Sequence, residues 1–435
     1  MGDKVKFKVK ELYNIFGTFL LCFIFFFETQ IVSINPQMLT FLQVVVVLCF
    51  TLALSSNGKI ILPTKVYPFL LVWILMLPFF LYGFLHSEAM VVFRICFGIL
   101  ICLLLSCQDN WLDKLLKLLI IFSGSAVFFT FLFWLFPELY RYVVDFYGYF
   151  PPGTGQLKYG YRAGITAHYS QNGIFIALFL MQLIISIITK KKCKNKFINR
   201  LEFLIIIFAF LSFLLNGKRG TLVWCIVSIV LTWFITTEKK SKFITRFVII
   251  GCLSIVLLQI TIENIPSLNF VFERFSELGS DSSSSERFEM WGLAFLNFLR
   301  SPLLGIGFMN FREQYSMHLA YKVTNEFIDI SSYRRLDAHN VYVQVLCEMG
   351  LIGFFMYILA VILLLRYTIR ALKYFSEIKS YHYKYAASLS FCLQIFYLLY
   401  SLSGNCLYDL TFYLYIFAMA ITALLNNRID NRRLR

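Results

Sequence analysis

Asp337-Ala338-His339-Asn340-Val341-Tyr342-Val343-Gln344-Val345-Leu346-Cys347-Glu348-Met349-Gly350-Leu351-Ile352-Gly353 opens an apolar run that continues to about Leu365. A helix needs about 20 apolar residues to cross the hydrocarbon core of a bilayer, and this run has them. A histidine with polar neighbours therefore stands where a membrane helix meets water. Chemistry on a lipid-linked molecule belongs at that depth.

Runs of the same kind recur along the chain. We place twelve spans, at 14–34, 38–54, 66–85, 90–107, 115–136, 171–189, 201–216, 220–236, 244–262, 341–365, 384–402 and 406–425. Lipid offers the backbone no hydrogen-bond partner, so only helices and closed barrels cross it, and these runs lack the alternation of barrel strands. The fold class is thus an all-α polytopic membrane protein, and composition agrees. Of the 435 residues 59% are hydrophobic, 18% aromatic and 15% charged, far from the soluble norm. The reading divides the chain into five helices over 1–136, an extracytoplasmic loop at 137–170 and four helices over 171–262. A large extracytoplasmic loop follows at 263–340, between helices nine and ten, then three helices over 341–425 and a cytoplasmic tail at 426–435.

A net charge of +16 would suggest nucleic acid in a soluble chain. Here the positive-inside rule accounts for most of it, and no nucleic-acid partner is implied. The basic groups run from Lys4 to Lys10, from Lys59 to Lys65, at Lys114 and Lys117, from Lys190 to Arg200, from Lys239 to Arg246, from Arg366 to Lys384 and from Arg428 to Arg435. They put both termini in the cytoplasm. The first helix has a basic flank without a small-residue cleavage site and is expected to be retained. Of eleven cysteines, Cys22, Cys49, Cys96, Cys102, Cys225, Cys252 and Cys392 fall inside apolar runs, and the two large outward loops contain none. Neither a disulfide framework nor a metal or cofactor site follows.

Polar residues at the outward boundaries are the functional candidates. Glu28 and Arg94 lie near helix ends and fit snorkelling or a structural pair. The stretch Tyr147-Gly148-Tyr149-Phe150-Pro151-Pro152-Gly153-Thr154-Gly155 suits an interfacial aromatic belt or a sugar-binding surface. Arg162 and His168 come just before the sixth helix. Asn216-Gly217-Lys218-Arg219-Gly220-Thr221 is a very short outward turn whose charges break the positive-inside pattern. It can present Arg219, backbone N–H groups and a helix N-terminus to an anion. In the second loop, Ser283 and Glu286 fit a capping box, and 286–300 is too polar and short to span, so it rests on the membrane or the bundle mouth. Arg287 and Trp291 are one turn apart on its same face. Ser301-Pro302-Leu303-Leu304-Gly305-Ile306-Gly307-Phe308 ends that helix in a tight glycine turn. Arg334 and Arg335 precede His339, which stands beside a helix N-terminus that favours its neutral form, the form a general base needs. Arginines drawn from three loops suit a phosphate or diphosphate.

In this order Arg162-x-Gly164, Lys218-Arg219-Gly220, Arg287-x-x-x-Trp291, Pro302-x-x-Gly305-x-Gly307 and His339-Asn340-x9-Gly350-x-x-Gly353 resemble the bacterial O-antigen ligase and polysaccharide polymerase superfamily. The likeness covers roughly 160–365, and Lys218 stands where the family often has serine or threonine. It implies a metal-independent glycosyltransferase of the membrane-embedded C type, acting outside the cytoplasmic (inner) membrane on a glycan carried by undecaprenyl diphosphate, with no cofactor. On that resemblance His339 and Arg219 are catalytic, and Arg162, Lys218, Arg219 and Arg287 bind the diphosphate. Arg335, Asn340, His168 and Trp291 support them, and Gly350 and Gly353 allow close helix packing. A polymerase and a ligase acting on lipid A–core share this machinery; the aromatic first loop and extended second loop favour the polymerase. Membrane lipids surround the chain, and a chain-length regulator and a flippase are the further partners the likeness suggests. A transporter is the remaining alternative, but the basic candidates cluster on one face instead of at mid-bilayer.

Overall fold

The computed structural model describes residues 2–56, 59–60, 66–85, 89–108, 110–146, 160–166, 168–189, 196–237, 245, 282–324 and 336–433. Almost all of the expected span at 244–262, the aromatic stretch 147–155, Arg334 and Arg335 lie outside them. The regular secondary structure of the described residues is helical apart from a short antiparallel ribbon that pairs Ser55 with Ile60 and Ser56 with Lys59.

Among the described residues nine helical segments are long and apolar enough to cross a membrane: Val9–Val32, Pro36–Leu54, Pro68–Leu85, Ala89–Ser106, Leu112–Leu135, Tyr169–Ile188, Arg219–Thr236, Val341–Glu377 and Phe412–Arg432. The helices expected at 201–216 and 384–402 form, as Lys196–Asn216 and Tyr381–Tyr400, but are not among the nine. Lys196, Arg200 and Glu202 occupy the start of one, and His382 and Lys384 the start of the other. In chain order the helices are α1 (Gly2–Ile34), α2 (Pro36–Leu54), α3 (Pro68–Leu75), α4 (Leu77–Leu85), α5 (Ala89–Ser106), α6 (Leu112–Leu135), α7 (Pro137–Phe146), α8 (Tyr169–Ile188), α9 (Lys196–Asn216), α10 (Arg219–Thr236), α11 (Ser282–Arg300), α12 (Phe311–Thr324), α13 (Val341–Glu377), α14 (Tyr381–Tyr400) and α15 (Phe412–Arg433). The pair α3 and α4 forms one apolar segment with a break at Met76. Pro78 cannot donate to the carbonyl four residues back, and its ring crowds that turn.

The chain divides into two compact units. Unit 1 comprises Met1–Ala53, Asp109–Leu278 and Ala371–Phe396. In it α8 packs against α6, α9 and α10. Aromatic rings fill its core, Phe26 lying 4.2 Å from Phe175 and 5.1 Å from Phe122 between ring centroids. Unit 2 comprises Leu54–Gln108, Gly279–Arg370 and Tyr397–Arg435. There α15 runs along α5, and Trp73, Tyr397, Phe412 and Tyr415 form a buried aromatic group. Arg94 does not snorkel. It is buried, and its guanidinium donates to the Tyr408 carbonyl at 3.0 Å, a structural role.

The two loops expected to face outward hold more regular structure than the sequence suggested. Residues 137–170 contain α7 and a 3-10 turn at Gly160–Ala163. Residues 263–340 contain α12 besides the expected α11, which begins at Ser282, a few residues ahead of the expected 286. Phe311, Tyr315 and Leu319 recur every fourth residue on α12, and this stripe joins Met290, Ala294, Ala338 and Cys347 in one buried cluster. The sequence reading missed α12 because polar residues crowd the rest of it.

Candidate functional site

In unit 2 the decisive piece of geometry is a broken helix. Gly350 interrupts α13 with φ 63° and ψ −166°. Its carbonyl ladder fails there, and the turn after α11 fills the gap. Ile306 N–H donates to the Cys347 carbonyl (3.0 Å) and Gly307 N–H to that of Glu348 (2.9 Å). In return Leu351 N–H donates to Pro302 (2.8 Å) and Ile352 N–H to Leu303 (3.2 Å). Such interlocking needs bare backbone: a Cβ on Gly350 would overlap the Leu303 carbonyl, and one on Gly305 would overlap Glu348. The glycines expected to serve helix packing therefore include one with a different task, since Gly350 makes the break and the 302–307 turn satisfies it.

This break fixes the short half-helix Val341–Met349, and with it His339. His339 is partly buried and has φ 51°, in the left-handed region that histidine enters more readily than most residues. Both neighbours are held. The Ala338 carbonyl accepts from Trp291 Nε1 at 2.8 Å, and its amide donates to Gln344 Oε1 at 2.9 Å. Asn340 Oδ1 accepts from the amides of Tyr342 (3.1 Å) and Val343 (3.2 Å), so this residue is the N-cap of α13. Gln344 Nε2 donates onward to Asp337 Oδ1 (3.0 Å) and Glu348 Oε1 (3.1 Å). Arg312 grips Asp337 through two bonds of 2.7 Å, and Tyr408 donates to Glu348 Oε2 at 2.8 Å. Bidentate and charge-assisted bonds in a buried setting are strong and directional. The result is an imidazole on a rigid backbone, which suits a group that must meet a hydroxyl. Arg287 lies on α11 one turn before Trp291, is partly buried, and makes no hydrogen bond or ion pair among the described residues.

Unit 1 holds the other candidates. Helix α9 ends at Asn216, and Gly217 (φ 71°) turns the chain with its N–H on the carbonyls of Phe213 (3.3 Å) and Leu214 (3.0 Å). Lys218 is then the N-cap residue of α10 and Arg219 its first helical residue. Asn216 Nδ2 donates to the carbonyls of Arg162 (2.7 Å) and Tyr169 (2.9 Å), while Arg162 Nε donates back to the Asn216 carbonyl (2.9 Å). Asn172 adds a bond to the Arg162 carbonyl (2.9 Å) and one to Thr130 Oγ1 (2.7 Å). The Tyr169 ring lies 4.8 Å from the Arg162 guanidinium carbon and 5.3 Å from Lys218 Nζ, within cation–π range of both. Arg162, Lys218 and Arg219 are thus gathered at the N-terminal ends of α8 and α10, where helix dipoles add positive potential. An anion is the ligand such a place attracts.

His168 caps α8, its Nδ1 accepting from Ser170 N–H at 3.1 Å. Burial first, then the charges of Lys218 and Arg162, push its pKa down to about 4. The folded protein therefore keeps the ring neutral, while an unfolded histidine takes a proton near pH 6.5. Stability from this group is complete above about 6.5 and lost as pH falls through about 4, since the unfolded chain binds the extra proton in that window. Thermal unfolding followed between pH 7 and 4 should lose part of its acid dependence in His168→Asn, which preserves a capping acceptor. An unchanged acid slope would contradict that assignment.

The structure thus brings Arg162, His168, Lys218 and Arg219 together in unit 1, and Trp291, His339 and Asn340 together in unit 2 with Arg287 on the same helix as Trp291. Arg335 lies outside the described residues. Asn172, Asn216, Tyr169, Arg312, Gln344, Glu348 and Tyr408 were not among the sequence candidates. One signal for them was readable: Asn340, Gln344 and Glu348 recur every fourth residue in an apolar run, which places three polar side chains on one helix face.

Residues 204–358, about a third of the chain, match the family model described as O-antigen ligase. The segment contains Lys218, Arg219, Arg287, Trp291, His339 and the glycine break. The match supports the O-antigen ligase and polymerase superfamily, and with it a membrane enzyme of that type. No curated protein matches the chain.

Proposed function

We propose that the chain is a membrane glycosyltransferase that polymerises oligosaccharide repeat units carried on undecaprenyl diphosphate, at the outer face of the bacterial cytoplasmic membrane. The observation that carries this reading is the clamped His339 loop inside the segment matched to the O-antigen ligase model. His339 accepts the proton of the attacking sugar hydroxyl. The hydroxyl oxygen bonds to the donor's anomeric carbon as the bond from that carbon to the diphosphate oxygen breaks, and undecaprenyl diphosphate leaves. Arg162, Lys218 and Arg219 bind the diphosphate and balance the charge that grows on it, with Arg287 as a further cationic contact. These cations do the electrostatic work, so the proposed reaction runs without a metal. Termini in the cytoplasm, a membrane-embedded C-type architecture, and a chain-length regulator and flippase as partners belong to the same proposal. The ligase reading, with transfer to lipid A–core, draws support from the description of the matched model itself.

Donor affinity tests the charge assignment. A hydrogen bond to a charged group is worth about 1.5–3 kcal/mol, so Arg219→Ala should raise the donor KM by about 10–100-fold, with Arg219→Lys in between. An unchanged KM in correctly inserted Arg219→Ala protein would contradict it.

A further inference from the structure

Unit 2 contains a crevice of about 370 Å³ beside the glycine turn, lined by Pro78, Phe79, Tyr82, Leu304, residues 305–308 and Glu348. Its size falls in the range of about 300–1,000 Å³ typical of small-molecule sites. Two ligand classes deserve comparison, a sugar and a hydrocarbon chain, because aromatic faces accept both. A sugar needs hydrogen-bond partners for its hydroxyls. The wall has few to give. The N–H groups of Gly305, Ile306 and Gly307 are engaged by the carbonyls of Ser301, Cys347 and Glu348. Glu348 is fully buried and its carboxylate is engaged by Phe311 N–H, Gln344 and Tyr408. Phe308 meets Phe80 edge-on, stacks on Tyr408 and presents hydrocarbon.

The mouth of the crevice also faces apolar surroundings. Leu303 and Leu304 are each 61% exposed, and the backbone bonds from Leu351 and Ile352 to Pro302 and Leu303 set this turn directly beside the exposed Ile352 and Phe355 of the α13 span. Leu81 and Leu85 of α4, the other wall, are exposed too. Among the described residues, the apolar surfaces of α4 and α13 therefore flank the crevice.

We propose that this crevice binds a long aliphatic chain, entering from the bilayer between α4 and the 302–308 turn. The inference rests on the proposed function only for naming one source of that chain, the isoprenoid tail of the lipid-linked donor; a phospholipid acyl chain is the other. Occupied this way, the crevice buttresses the glycine turn that interlocks with the α13 break.

The test places a photoreactive benzophenone amino acid at Leu304 and, as a bilayer-facing control, at Leu359. Each protein is irradiated in nanodiscs of phosphatidylethanolamine and phosphatidylglycerol, with or without undecaprenyl phosphate, and adducts are read by mass spectrometry. Isoprenoid adducts at Leu304, enriched about tenfold over Leu359, assign the crevice to the polyprenyl tail. Acyl adducts with that enrichment assign it to phospholipid. Equal yields at the two positions, or labelling suppressed by excess free oligosaccharide, overturn the proposal. The measurement is repeated in His339→Ala protein, where labelling should persist. Transfer without enriched labelling sinks this inference alone; enriched labelling without transfer in the wild-type protein sinks the glycosyltransferase reading alone.

Discussion

His339→Ala is expected to lower glycan transfer by about 10²–10⁴-fold, the contribution of a positioned general base, while leaving the donor KM nearly unchanged. The expectation of a selective defect comes from how the loop is held. Trp291 and Gln344 grip the backbone of Ala338, and Asn340 caps α13, so these three anchors remain when the imidazole is removed. Alanine enters this left-handed φ less readily than histidine, at a cost within about 1–2 kcal/mol, so the backbone change is small beside the expected loss of rate. Single-turnover transfer at several pH values separates the roles. Loss of the acidic limb of the rate profile together with a lower plateau marks a lost base. A raised donor KM at an unchanged plateau would instead mark lost binding.

Gly350→Ala should have the largest effect on folding. The new Cβ stands at a φ and ψ that essentially only glycine enters, costing on the order of 1–3 kcal/mol, and overlaps the Leu303 carbonyl, so the turn that satisfies the broken helix must move. Four backbone hydrogen bonds cross between that turn and the break. In lipid each backbone group left unpaired costs several kcal/mol, so the protein is expected to lose its monodisperse folded form in detergent, measured by size-exclusion chromatography and thermal unfolding. Gly292→Ala is the matched control. It sits within α11 with open space around its Cβ position, and should stabilise by about 0.5–1 kcal/mol. Equal behaviour of the two variants would show that Gly350 has no special backbone task.

The membrane class was legible because apolar runs of bilayer length leave one option for the backbone, and the helices near 14–34, 90–107 and 171–189 form close to the places their composition dictates. The pair His339-Asn340 was legible as a boundary between water and a span. What stayed hidden depends on contacts between distant segments. Arg312 gave no local signal of its bidentate hold on Asp337, and Asn216 looked like a turn residue before its side chain was seen bridging Arg162 and Tyr169. Gly350 was noticed, but sequence alone does not distinguish a glycine that lets helices approach from one that breaks a helix, because both need a missing Cβ. Arg94 illustrates the converse, a charge near a helix end that fits either snorkelling or a structural role until a carbonyl from another segment is found beside it.

The most direct measurement is transfer by the purified protein in nanodiscs, supplied only with an undecaprenyl-diphosphate-linked repeat unit. A ladder of lengthening lipid-linked glycans, absent from His339→Ala protein, is the predicted result. No product from the repeat unit alone, and none after lipid A–core is added, would contradict the account.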